Sequence, residues 1–292
     1  MPDPHAGPSI LDFEARERFR STARRMSLDP ENPWIGGYVD YEWHHGRHVL
    51  ECSGARISGA RVLEFGCNLG ATSIVLTTLG AAVTAVDVNP RYVELARLNA
   101  ACYSLDQRIE FLHVPDTTRL PFVDDQFDLI TCNSVLEYVP HAVVGAVQRE
   151  LDRVLKPGGA IVIEGTSNRL CPWERHSRQW FVNYLPRFVD RFVARTFERG
   201  ISPWQVRFGF GPGYSDAAMS DRGAAYFESR KRMGMSGPRM MVLRTLTRML
   251  APLHISVGLL TPTISVLLRK DRDFSSPPAL PHDPTAIRAR GQ

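Results

Sequence analysis

Residues 61–70 read Arg61-Val62-Leu63-Glu64-Phe65-Gly66-Cys67-Asn68-Leu69-Gly70. A short apolar run, Arg61 to Phe65, has the composition of a buried strand and leads into a turn that carries two glycines. Ala71 to Leu79 then reads as a helix ended by Gly80. Strand, glycine-containing turn and helix in that order open a βαβ unit. Gly66 and Gly70 have no Cβ, so backbone there can approach a ligand closely. Asp87 lies seventeen residues beyond Gly70 and closes the next apolar strand, Ala82–Val86. A carboxylate at that place can accept hydrogen bonds from both hydroxyls of a ribose. Together these residues point to a cofactor containing adenosine.

The alternation continues on the carboxyl side. Pro90 stands before a helix from Arg91 to Cys102, strands are predicted over 108–114 and 127–132, and a helix over 141–155 is stopped by Pro157-Gly158-Gly159. Ala160–Glu164 is the fifth predicted strand. Strands alternating with helices at this pitch predict an α/β fold, a doubly wound and mostly parallel sheet covered on both faces. Such sheets bind ligands at the carboxyl ends of their strands.

Outside this core the pattern changes. Ser9 to Ser27 is predicted helical with Ser9 as its cap, and the aromatic and His-rich Trp34–Cys52 is read as a second helix. The resulting organisation is a helical lid over 1–59, a cofactor-binding core over 60–165, an Arg-rich cap and acceptor region over 166–250, a closing strand within 251–270, and a proline-rich, disordered tail over 271–292. Met249–Leu268 carries no formal charge and is about as long as a membrane span, but Pro252, Gly258 and Pro262 favour a strand-turn-strand or helix-turn-strand reading.

Composition narrows the class. The 292 residues are 43% hydrophobic and 23% charged, as in ordinary globular proteins. Five widely spaced cysteines, with no Cys-x-x-Cys pair, indicate neither a disulfide framework nor a thiolate zinc site. A reducing, cytoplasmic compartment follows as an expectation, and Met1–Ile10 does not read as a signal peptide. The net charge of +4 hides an asymmetry. Residues 60–165 hold 8 basic and 13 acidic side chains, whereas 166–250 hold 15 basic and 6 acidic ones. The second excess attracts anionic partners, whether a phosphorylated or carboxylated substrate, a lipid headgroup or nucleic acid. A solvated, Arg-rich helical face is the plainer reading of the same residues.

Two cofactor classes compete for the first turn. A dinucleotide fingerprint needs glycines at 66 and 68, and Asn68 crowds the place where a pyrophosphate would lie on bare backbone. Glu64, Gly66 and Gly70 instead resemble the first motif of the class I S-adenosylmethionine-dependent methyltransferases, Glu-x-Gly-x-Gly-x-Gly, with Asn68 at the middle glycine. Further resemblances follow in order over about residues 60–165. They are Val114-Pro115-Asp116, Leu120-Pro121-Phe122, Phe127-Asp128-Leu129-Ile130, Val135-Leu136-Glu137-Tyr138-Val139 and Leu155-Lys156-Pro157-Gly158-Gly159. The chain is similar to the type 11 group of that family, which implies a seven-stranded Rossmann-like sheet and S-adenosylmethionine as cofactor.

The resemblance also implies roles. Gly66, Asn68 and Gly70 line the methionine and ribose portion, Asp87 binds the ribose, and Val88 packs beside the adenine. Asp116 reads the adenine amino group with Thr117 adjacent, and Asn133 lies near the methionine. Glu64 steadies the loop, and Asp116 could alternatively be a turn-forming acid. Methyl transfer asks the protein to align a nucleophile with the S–CH3 bond, exclude water and, for a hydroxyl, accept a proton. Many relatives carry His where this chain has Tyr138. Tyr138, Glu174 and His176 are the catalytic candidates, with Trp173 and Trp180 as an apolar wall and the plainer alternative of a polar cluster anchoring the cap. Glu137 and His141 make a poor metal pair, and no metal is expected. The expected activity is methyl transfer to a small-molecule, sugar or lipid-linked acceptor, anionic in character. The alternative is a catalytically silent protein that binds the cofactor or its demethylated product and acts as a partner or regulator. A nucleic-acid acceptor is not expected, because Asn133-Ser134-Val135-Leu136 departs from the Asn/Asp-Pro-Pro-Tyr/Phe signature. Peripheral membrane contact through the Arg-rich cap is the remaining partner expectation, and the oligomeric state stays open.

Overall fold

Both faces of the central strands are apolar, and the fold covers both. In the computed structural model, which describes residues 7–174, 178–186, 189 and 199–272, five strands run parallel. They are β1 (Arg61–Phe65), β2 (Ala82–Asp87), β3 (Ile109–His113), β4 (Phe127–Asn133) and β5 (Leu155–Ser167). Leu63, Phe65, Ile130, Cys132, Ile161 and Ile163 enter one core, while Val62, Val83, Ala85, Leu129, Ala160 and Val162 enter the other. That division follows from the two-residue repeat of a strand.

The helices supply the cover. One face packs against α2 (Tyr38–His44), α3 (Gly46–Cys52) and α4 (Ala71–Thr78), through Val39, Leu50 and Ile74. The other packs against α6 (Val144–Val154), through Val147, Leu151 and Val154. Between them in sequence, α5 (Pro90–Cys102) packs on α1 (Phe13–Arg25), where Phe19 meets Leu95 and Cys102 in a smaller core.

The sheet order is β3-β2-β1-β4-β5-β9-β8, with β8 (Tyr214–Asp216) and β9 (Thr263–Lys270) as additional strands. β9 runs antiparallel to β5, and β8 antiparallel to β9. The sequence order reverses between β1 and β4, and the crevice for a ligand in a doubly wound sheet opens at that point. The expected seven-stranded, mostly parallel doubly wound sheet is the one found.

Four details differ from the sequence reading. α1 begins at Phe13, because the Asp12 side chain accepts from the Ala15 N–H at 2.9 Å, whereas Ser9 Oγ donates only to Gly7 O. The aromatic segment is two helices, broken at His45, whose backbone (φ −127°, ψ −70°) leaves the helical region. β5 extends past its predicted ends, with a register irregularity against β4 between Phe127 and Leu129. β8 lies inside the stretch assigned to the cap but belongs to the core sheet. Tyr214 donates to Asp152 Oδ1 at 2.7 Å, and the buried Lys270 ammonium donates to the carbonyls of Asp152 and Leu155. Three residues are too few to show a period-two pattern.

The other described elements between β5 and β9 are a small hairpin and short helices. They comprise a two-residue hairpin of β6 (Trp173–Glu174) and β7 (Gln179–Trp180), then α7 (Pro203–Phe208), α8 (Ala217–Ser220), α9 (Ala224–Arg232) and α10 (Gly237–Leu250). Met249–Leu268 is the end of α10, short turns and most of β9; no described helix is long and apolar enough to cross a membrane. Of the tail expected to be disordered, 273–292 lie outside the described residues.

Candidate functional site

The turn after β1 is held by the end of β2. The Gly66 and Cys67 N–H groups both donate to Val86 O at 2.9 Å. Asp87 Oδ2 accepts from the Asn68 N–H at 2.9 Å, and its Oδ1 accepts from the Asn89 N–H at 2.8 Å. Each carboxylate oxygen keeps a further lone pair, so Asp87 can fasten the turn and still accept from a ligand hydroxyl. Gly66 has φ +78°, and a Cβ on it would lie 2.5 and 2.6 Å from the Val135 methyls. Gly70 has φ +74°, and a Cβ there would press on Ala96 and Phe111 at 3.1 Å. These glycines are therefore required by the protein's own packing, in addition to any approach of a ligand. Asn68 has φ +48°, a left-handed conformation that Asn tolerates better than most residues, which is how it can stand at a glycine position.

A cleft of about 640 Å³ opens beside this turn at the carboxyl ends of β1, β2 and β4. Of the residues expected to hold a cofactor, Glu64, Gly66, Asn68, Asp87, Val88, Thr117 and Asn133 line it. Two do not. Gly70 is buried beneath α5 and β3, and shapes the start of α4 from behind. Asp116 is exposed next to Thr117; its Oδ1 accepts from the Thr118 N–H at 2.9 Å and hydroxyl at 2.6 Å, the contacts of a turn-forming acid.

α2 adds residues that the sequence reading did not place in the site. Tyr38 lines the cleft, and Glu42, one helical turn on, is buried beside it. The Asn133 amide donates to Glu42 Oε1 at 3.0 Å and lies 3.4 Å from both Tyr38 Oη and Thr72 Oγ1. Burial pushes the Glu42 carboxyl up to about 7, against hydrogen bonds from Asn133 and Tyr38 that pull it down. Glu64 is also buried and accepts from the Ser73 hydroxyl. Burial, with the Glu42 charge nearby, pushes it up to about 8. The Tyr38 phenol is raised by burial and by Glu42. The available signal was the i, i+4 spacing of Tyr38 and Glu42, which puts both on one helix face. Among the described residues lining this cleft there are acids and no Lys, Arg or His. Its chemistry suits a ligand carrying positive charge.

A second cavity, of about 990 Å³, adjoins the first and shares Tyr138, Val139 and Pro140 with it. Its other lining includes Glu137, His141, Arg169, Arg199, Trp204 and Phe208. Tyr138 is half exposed between the two spaces. Glu137 Oε1 accepts from the Ser167 N–H at 3.0 Å. Glu174, expected to be catalytic, is fully buried, accepts from Ser167 Oγ at 2.8 Å and lines neither cavity. Its position is that of an anchor for the chain leaving β5, because a carboxylate without exposed surface cannot meet an acceptor. His176 lies outside the described residues. Trp173 and Trp180 pack edge to face at 5.1 Å and also line neither space.

Residues 63–163 match the sequence model of a family described as "Methyltransferase domain". This segment is a class I S-adenosylmethionine-dependent methyltransferase domain. A relative named demethylmenaquinone methyltransferase, from Clavibacter sepedonicus, is 41% identical over 140 residues, covering 48% of this chain and 55% of its own length. One named ubiquinone biosynthesis O-methyltransferase, from Xanthomonas oryzae, is 38% identical over 118 residues, covering 39% of this chain and 45% of its own. The chain thus spans about half the length of the curated relatives it matches. A chain in the solved complex of the Haloferax volcanii Trm112 methyltransferase activator with a putative methyltransferase shares the fold, with a TM-score of 0.50 at 19% identity, over 89% of this chain and 99% of that one. S-adenosylmethionine is the cofactor of the methyltransferase domain, and the cleft fits it. Its ribose offers hydroxyls to a carboxylate such as Asp87, and its sulfonium and ammonium suit a cleft lined by acids.

Proposed function

We propose that the protein transfers the methyl group of S-adenosylmethionine to a small or lipid-linked anionic acceptor held in the second cavity. One observation carries this reading: Tyr138, Val139 and Pro140 wall both the acidic cofactor cleft and a cavity that contains Arg169 and Arg199. The two spaces differ in charge as a cationic donor and an anionic acceptor would require. The relatives' names, which specify quinone-pathway methyltransferases, agree with an acceptor that the Trp204 and Phe208 rings could flank.

In this reading Asp87 holds the ribose and Val88 covers the adenine, with Thr117 beside it. Asn133 and Glu64 attend the methionine end, while Gly66, Asn68 and Gly70 give the turn its shape. The lid role of residues 1–59 rests on Tyr38 and Glu42, and residues 166–250 supply the acceptor side. The bound cofactor supplies a methyl carbon already activated by positive sulfur. The chain then has to hold the acceptor in line and keep water out. Arg169 and Arg199 orient the acceptor's anionic group, and Tyr138 closes the boundary between the spaces. His141, an imidazole in the cavity wall, is the proton acceptor for an acceptor hydroxyl. A catalytically silent binder would gain nothing from an open cavity beside the cofactor cleft.

The test is incubation of the pure protein with methyl-labelled S-adenosylmethionine and a fractionated host extract, with label counted in lipid, small-molecule, protein and nucleic-acid pools. Label is expected in the lipid or small-molecule pool and lost with Asp87→Ala, which should weaken cofactor binding by about 1–3 kcal/mol. Cofactor binding by calorimetry with no label in any pool would instead favour the silent binder.

A further inference from the structure

An amphipathic surface helix normally turns its apolar side inward. α10 leaves a second apolar side outward, while Met240, Leu243 and Leu250 are half-buried on the side of Thr247. Thr247 is its only buried residue, while Met241, Val242, Leu246 and Met249 are 66%, 56%, 41% and 67% exposed. At 3.6 residues per turn these four lie within an arc of about 140°, and Thr247 lies on the opposite side. Leu253, in the short turn that follows, is 65% exposed and lengthens the stripe. The same helical arithmetic puts Arg248 just beyond one edge of the arc and Arg239 just beyond the other. Both are exposed, and no ion pair is recorded for either among the described residues. The charges within α10 have a single sign: Arg239, Arg244 and Arg248, with no Asp or Glu.

We propose that the outward face of α10 docks the protein onto an anionic lipid bilayer. The apolar stripe would enter the boundary between headgroups and acyl chains, with Arg239 and Arg248 reaching to lipid phosphates from its two sides. Charge complementarity selects this occupant. A second copy of the chain would bring an equally acid-free, Arg-bordered face against this one, and like charges would oppose the contact. An exposed helix face also fits a broad fluid surface, and with no described helix long enough to span, contact is from one side. The inference narrows the membrane contact expected of the Arg-rich region to one helix face, and stands independently of the methyl-transfer reading.

The experiment is co-sedimentation of the full chain with vesicles of phosphatidylcholine alone and of phosphatidylcholine with about 30% phosphatidylglycerol, at about 0.1 and 0.5 M NaCl. Binding is expected to be at least about tenfold stronger to the anionic vesicles and to weaken at the higher salt. Leu246→Glu with Met249→Glu should reduce vesicle binding about tenfold or more, and Arg239→Gln with Arg248→Gln should remove most of its salt dependence. All four side chains are exposed, so Tm and cofactor affinity should stay at wild-type values, which separates loss of docking from loss of fold. Equal binding of the Glu variant and wild type, or no binding to either vesicle, overturns the proposal. So does a concentration-dependent dimer in sedimentation that the Glu variant abolishes, because a second copy would then cover the face.

Discussion

The two cavities that meet at Tyr138 are built in opposite ways. The cofactor cleft is made by residues at the ends of adjacent strands, and Asp87 binds two loops at once through 2.8 and 2.9 Å hydrogen bonds. The second cavity is assembled from the loop after β4, the residue Arg169 just beyond β5, and the segment 199–209. The first surrounds acids and the second contains arginines. The contrast teaches that one space is set by the sheet, whose geometry is rigid and short-range, and the other by side chains that long connections bring together.

Three substitutions test the contrast, beginning with the largest effect. Gly66→Ala must hold a positive φ and push into Val135, so it should cost about 1–3 kcal/mol of stability and weaken cofactor binding beyond measurement by calorimetry. Near wild-type affinity would mean that the turn is more adaptable than its contacts imply.

A pH dependence comes next. Burial raises the Glu42 carboxyl from 4.5 to about 7 in the folded chain, so the folded state binds more protons than the unfolded state between those values. This contribution to stability is full below the unfolded value and is lost as pH rises through the folded one. The ligand-free protein should therefore lose Tm between about pH 5 and 8. Glu42→Gln should flatten that decline and gain roughly 1–3 kcal/mol at the alkaline end, leaving the share due to Glu64. Thermal melts of both proteins across that range, declining in parallel, would show that Glu42 does not titrate this way.

The smallest effect belongs to the acceptor side. Arg169→Gln should raise KM for an anionic acceptor about 3–30-fold, as for loss of one charge-assisted hydrogen bond, with cofactor Kd unchanged. A matching change in cofactor Kd would erase the division between the two spaces.

Much of the cofactor side could be read from residues close together in the chain. Glu64, Gly66, Asn68, Asp87, Val88, Thr117 and Asn133 stand at strand ends or in the loops just after them, and a parallel sheet brings strand ends together whatever the connections do. Gly70 and Asp116 were placed in the same cleft by motif, but packing under α5 and a local turn occupy them instead. The second cavity was less legible. Glu174 looked available in an aromatic, polar segment, yet its carboxylate is buried against Ser167. Glu42 looked like one more charge on a lid helix, yet it reaches the amide of Asn133, 91 residues away.

By itself the sequence determined the alternation of strands and helices, the turn at Gly66–Gly70 and the carboxylate at Asp87, because these depend on local periodicity and on backbone conformations that few residues can adopt. Only the tertiary structure decided that β8 closes the sheet, that Glu42 and Glu64 share one buried acidic pocket, that Arg169 and Arg199 line the same cavity, and that α10 faces outward. Those facts depend on which distant surfaces exclude water from one another, and no local window of residues contains that information.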